Sequence, residues 1–198
     1  MAVAFFRSLK ARHGVYKKRH PLRRAVLFLG GVAALYAVTS VVLALAGAVP
    51  TAPIVAGMGI DNYYAWQIVF LLTLVFAVWI LTSGVLLALG TKGCHRSDVL
   101  MKASRAWGRP LLLAWVPSAV EAALAALGMG QAEWVDILSA PGIWQTLYLV
   151  VYAAAAAWCV GRFILAARTI HKKSWPAAAL TGVAAAIVAI GAYLLFLR

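Results

Sequence analysis

Acidic residues are scarce: Asp and Glu number 5 in 198 residues, against 18 Lys and Arg, leaving a net charge of +13. Paired carboxylates inside an apolar segment are absent, which removes the usual basis for intramembrane acid–base chemistry or a proton path with several stations. Cysteine is scarcer still. Cys94 lies in a connecting segment and Cys159 in an apolar run, so neither a disulfide framework nor a four-thiolate zinc site can be built. Charged residues make up only 12% of the chain, too few to clothe a soluble domain of this length. No Gly-rich phosphate loop, dinucleotide fingerprint, H-E-x-x-H or G-x-S-x-G motif occurs. The four histidines, His13, His20, His95 and His171, all fall outside the apolar runs, which excludes a bis-histidine haem within the membrane. Cys94-His95 lacks the further ligands that zinc needs.

What is there is apolar. Hydrophobic residues make up 65% of the chain and mean hydropathy is +0.91. A helix needs ~20 apolar residues to cross a bilayer. Five windows meet or approach that length: 25–49, 66–89, 111–127, 143–167 and 175–197. They predict an all-α polytopic membrane protein, a bundle of five transmembrane helices (25–198) behind a basic cytoplasmic segment (1–24). The first window is longer than a signal-peptide core and 24 residues precede it, which predicts an uncleaved anchor.

The basic residues alternate with the windows. Eight precede the first; Lys92, Arg96, Lys102, Arg105 and Arg109 follow the second; Arg168, Lys172 and Lys173 follow the fourth. Segments 50–65 and 128–142 contain no Lys or Arg. The positive-inside rule then places the N-terminus in the cytoplasm and the C-terminus outside. The same rule accounts for the charge excess without nucleic acid.

Within residues 3–19, Phe5, Leu9 and Tyr16 share one helical side. Arg7, Lys10, Arg12, Lys17, Lys18 and Arg19 fall mostly elsewhere. Either this segment lies in the headgroup layer and binds anionic lipids of the cytoplasmic leaflet, or it is a basic tail that only sets orientation. Aromatic belts are expected at Tyr63, Tyr64, Trp66, Trp134 and Trp144 on one side, and at Trp107 and Trp175 on the other. Residues 131–138 are expected to form a small helix on the outer surface. Small residues recur every fourth position at Ala153, Ala157 and Gly161 and at Ala178, Gly182 and Ala186. Both stripes predict close helix packing, within the chain or between copies.

Glu121 is the one carboxylate deep in a window, and Arg162 the one cation. By helical rise Arg162 is expected ~8 Å nearer the cytoplasm than Glu121. Pro117 and Ser118 lie a turn before Glu121, where a proline removes a backbone bond. Glu121, Arg162, Pro117 and Ser118 form the candidate polar site. Its expected role is structural, or else transport or ligand binding.

Leu89-Gly90-Thr91-Lys92-Gly93 closes one window. Ala106-Trp107 and Pro117-Ser118 follow in order, and Ser174-Trp175-Pro176-Ala177 opens the last window. In order and spacing these resemble the Yip1-domain family, particularly its short bacterial members. The resemblance implies a five-helix membrane domain without catalytic residues, in a bacterial cytoplasmic membrane. The tyrosine-glycine-proline motif of eukaryotic members is missing before the first window. The expected function is therefore non-enzymatic, in membrane organisation or as a partner-binding subunit. It needs no cofactor and takes membrane lipids, further copies or other membrane subunits as partners. The alternative is a small transporter or channel component centred on Glu121.

Overall fold

The computed structural model describes residues 21–48, 63–90, 94–133, 136 and 140–196. They form five long helices: α1 (Pro21–Leu45), α2 (Tyr63–Ala88), α3 (Arg96–Ala126), α4 (Ile143–His171) and α5 (Trp175–Phe196). No strand occurs among the described residues. The expected headgroup contacts Arg7, Lys10, Arg12, Lys17, Lys18 and Arg19 lie outside the described residues, as do Trp134, Ile137 and Leu138.

Four helices, α1, α2, α4 and α5, are long and apolar enough to cross a membrane. In each, at most 39% of the apolar window is buried within the bundle. Leu27, Val38, Val69, Ile80, Leu149 and Ile187 instead point outward and are exposed. Apolar surface on that scale needs acyl chains rather than water to cover it. The chain is an integral membrane protein.

The third helix differs from expectation. Its apolar window begins at residue 111, yet the helix starts at Arg96 and runs 31 residues through Pro110 and Pro117. Its first half carries Arg96, Asp98, Lys102, Arg105 and Arg109, but Val99, Ala103, Ala106 and Trp107 on the same turns are buried. Hydropathy averages over all sides of a helix, so one that is polar outside and packed inside falls below the threshold for a span.

Two helix ends show why they stop where they do. Past α1, Gly47 takes φ +66° and the amides of Gly47 and Ala48 bond back to Ala44 and Leu43. Past α3, Gly128 takes φ +82° and the amides of Gly128 and Met129 bond back to Ala125 and Leu124. Both are Schellman closures, which need a left-handed residue that glycine adopts without strain.

The helices close into a ring. α1 packs on α2 and α3, α3 on α4, α4 on α5, and α5 on α2, while α2 also touches α3. The main core runs through Leu29, Tyr36, Val75, Leu86, Leu111 and Phe163. A smaller cluster, with Leu43, Tyr63, Tyr64 and Ala122, seals the end remote from the basic turns. The α4–α5 contact is close at Gly182, where an added Cβ would run into the backbone of Ile164. At the basic end, Lys173 donates to the carbonyl of Leu89 and to Thr181 Oγ1 (2.9 Å). Arg168 stacks 3.7 Å from the centre of the Trp175 ring. Together these tie the α4–α5 turn to the end of α2.

The two small-residue stripes part company. Ala178, Gly182 and Ala186 are buried, but Ala153 and Ala157 are exposed and Gly161 meets nothing within 4 Å of an added Cβ. The packed face of α4 is instead Ala155, Cys159, Phe163, Ala166 and Ala167. The aromatic belts are corrected in the same way. Trp66, Trp144 and Trp175 are exposed, whereas Tyr63, Tyr64 and Trp107 are buried core residues.

Candidate functional site: the polar seams of the third helix

α3 accepts a side-chain hydrogen bond from every other helix. Trp79 Nε1 of α2 donates to the Leu100 carbonyl (2.8 Å). Tyr36 OH of α1 donates to the Leu111 carbonyl (2.9 Å). Tyr193 OH of α5 reaches the Ala114 carbonyl (3.5 Å), and Tyr148 OH of α4 the Pro117 carbonyl (3.2 Å). A backbone carbonyl has two lone pairs, so each can serve the helix ladder and a second donor. Three of these acceptors lie within Pro110–Pro117, next to the carbonyls of Ala106 and Leu113, whose ladder donors the two prolines remove. The tyrosines therefore fasten the stretch of α3 that its own backbone holds least well.

Glu121 is buried, with 3% of its surface exposed, one turn after Pro117. It is not isolated there. Ser118 beside it is half-buried. Two more buried polar residues sit at matching depth in the helices that pack against α3. Ser40 of α1 donates to Gln67 Oε1 of α2 (2.7 Å), and Gln67 Nε2 approaches Tyr63 OH (3.5 Å). Glu121, Ser40 and Gln67 lie five, five and four residues from the nearer ends of their helices, or about 6–8 Å at 1.5 Å per residue. Sequence reasoning passed over Ser40 and Gln67. Gln67 in an otherwise apolar helix was the signal for them.

Arg162 does not join Glu121. Tyr148 faces Pro117 and Thr169 faces Lys102 (3.0 Å). This antiparallel register sets Arg162 level with residues 105–107 of α3, about 20 Å along the axis from Glu121 at 1.5 Å per residue. The ~8 Å expected from sequence measured both helices from the ends of their apolar windows. The actual start of α3, fifteen residues before that window, changes the register. Arg162 is half-buried in the α3–α4 seam, and its Nε is buried without a hydrogen-bond partner among the described residues. Arg105 and Arg109 across the seam act on it as like charges.

A cavity of about 230 Å³ opens where α3 and α5 stand apart. Trp107, Leu111 and Ala114 line it from α3, Tyr152 and Cys159 from α4, and Ile190 and Tyr193 from α5. Among the described residues no three His, Cys, Asp or Glu side chains cluster to hold a metal. The exposed cavity wall is apolar and suits an acyl or aliphatic group rather than an ion. Compared with known protein families, characterised proteins and solved structures, the chain matches none.

Proposed function

We propose that this is a non-enzymatic, five-span membrane protein of Yip1-like type, a membrane-organising or partner-binding subunit with its N-terminus in the cytoplasm and its C-terminus outside. The observation that carries the reading is the treatment of α3. It is bonded by donors from all four candidate spans, and beyond Arg109 its one charged residue, Glu121, is buried. On this reading α3 is the fifth span, and its backbone carbonyls help to hold the bundle together. The outward faces of the four apolar helices suit lipid or other membrane subunits. The bacterial cytoplasmic membrane fits the short connections and the resemblance of the sequence.

A transporter or channel component is the second reading, favoured by one observation: Glu121, Ser40 and Gln67 form a buried polar level across α1, α2 and α3. Substitution at Glu121 separates the two. Under the structural reading Glu121→Gln keeps shape and hydrogen-bonding capacity, so the melting temperature in detergent is nearly unchanged and co-purifying partners are retained. Glu121→Leu lowers stability by about 1–3 kcal/mol, because the polar groups around it lose a partner. A Glu121→Gln protein that folds normally but abolishes a proton or cation flux shown by the wild type in proteoliposomes would establish the transporter instead.

A further inference from the structure

We propose that the α3–α4 seam binds the phosphate of an anionic phospholipid from the leaflet at the basic end, through Arg105, Arg109 and Arg162 with Lys102 at its edge. The site rests on the reading of the chain as membrane-integral.

The argument begins with charge. Arg105 and Arg109 are one turn apart on α3 and exposed, and the register places Arg162 level with them on α4. Lys102, one turn earlier, donates to Thr169 across the same seam. Arginine stays protonated in proteins, so these groups cannot relieve their repulsion by losing protons. On α3 the nearest carboxylates are Asp98 and Glu121, about 10 Å before Arg105 and about 18 Å beyond Arg109 by helical rise. The buried Nε of Arg162 has no hydrogen-bond partner among the described residues. Positive-inside orientation accounts for cations in loops, but not for three guanidinium groups gathered on two packed helices. An external anion does account for them. Guanidinium forks bind phosphate oxygens in pairs.

The surroundings select an amphiphile over a free ion. Arg162 sits nine residues, about 14 Å, before the end of α4, in the half of the helix nearer the basic end. On the side of α3 that carries Arg109, Val116 and Val120 are exposed at successive turns. Trp158 is exposed on α4, one turn farther from the basic end than Arg162. A phosphate at the arginines would lay its acyl chains along this apolar stripe.

The test uses the full chain purified in a neutral detergent, with intrinsic tryptophan melting as readout. Phosphatidylglycerol, phosphatidylcholine and inorganic phosphate are each titrated against wild type, Arg162→Gln and Arg105→Gln/Arg109→Gln. Phosphatidylglycerol should raise the wild-type melting temperature, while phosphatidylcholine and inorganic phosphate leave it unchanged. Affinity for phosphatidylglycerol should fall roughly fivefold for each arginine removed. The melting order should also cross over. Without anionic lipid Arg162→Gln melts above wild type because repulsion is relieved, and with phosphatidylglycerol it melts below. Equal stabilisation by phosphatidylcholine, or full phosphatidylglycerol stabilisation of both variants, overturns the site. Stabilisation by inorganic phosphate at the same concentration replaces the lipid with a free anion and overturns the lipid assignment. Release of the chain from membranes by alkaline carbonate would overturn the membrane-integral reading itself, a failure distinct from the others.

Discussion

At the scale of single residues, four donors decide how α3 is held, and they are not equal. The Tyr36 bond is short and both groups are buried. The Tyr193 bond is long, and the Tyr148 bond only part-buried. A buried hydrogen bond contributes about 1 kcal/mol net. Tyr36→Phe is therefore expected to cost about that much, and Tyr193→Phe and Tyr148→Phe less. Equilibrium unfolding in mixed micelles checks the order; a Tyr193→Phe loss exceeding that of Tyr36→Phe would contradict it. None of the four was legible in the sequence as a donor to α3. Tyrosine inside an apolar run reads as one more aromatic residue, and its partner is a backbone carbonyl that carries no sequence signal. Glu121 was legible, because a lone carboxylate in a span stands out by its desolvation cost alone.

At the scale of helices, composition was informative and rotation was not. The four apolar helices were visible because lipid and core both demand apolar side chains, so every side of such a helix looks alike. For the same reason two stripes with identical spacing, Ala153-Ala157-Gly161 and Ala178-Gly182-Ala186, could not be told apart, and only the second packs. Gly182→Leu forces the α4 and α5 backbones apart at Ile164 and is expected to lower stability by several kcal/mol, since the obstacle is backbone rather than a flexible side chain. Gly161→Leu meets open space and is expected to be tolerated. Thermal unfolding of the two variants side by side decides the matter; equal losses would mean that α4 is turned the other way. The start of α3 was hidden for the opposite reason. Its charged turns hid a packed face, and the shifted start moved Arg162 away from Glu121.

At the scale of the whole molecule, the topology proposed above rests on the alternation of basic and non-basic segments along the sequence. Reporters fused after residue 57, after residue 132 and at the C-terminus are expected to read outside, and one after residue 93 inside. A C-terminal fusion reading inside would require four or six crossings and would return α3 to the membrane surface. The fastening of α3 also bears on how the chain is made. Trp79 and Tyr36 precede α3 in synthesis, whereas Tyr148 and Tyr193 follow it. A nascent chain halted after residue 126 therefore presents its most polar helix anchored along one flank only. Completion of that helix waits on tyrosines the ribosome has not yet translated, so the fold is finished from its C-terminal end.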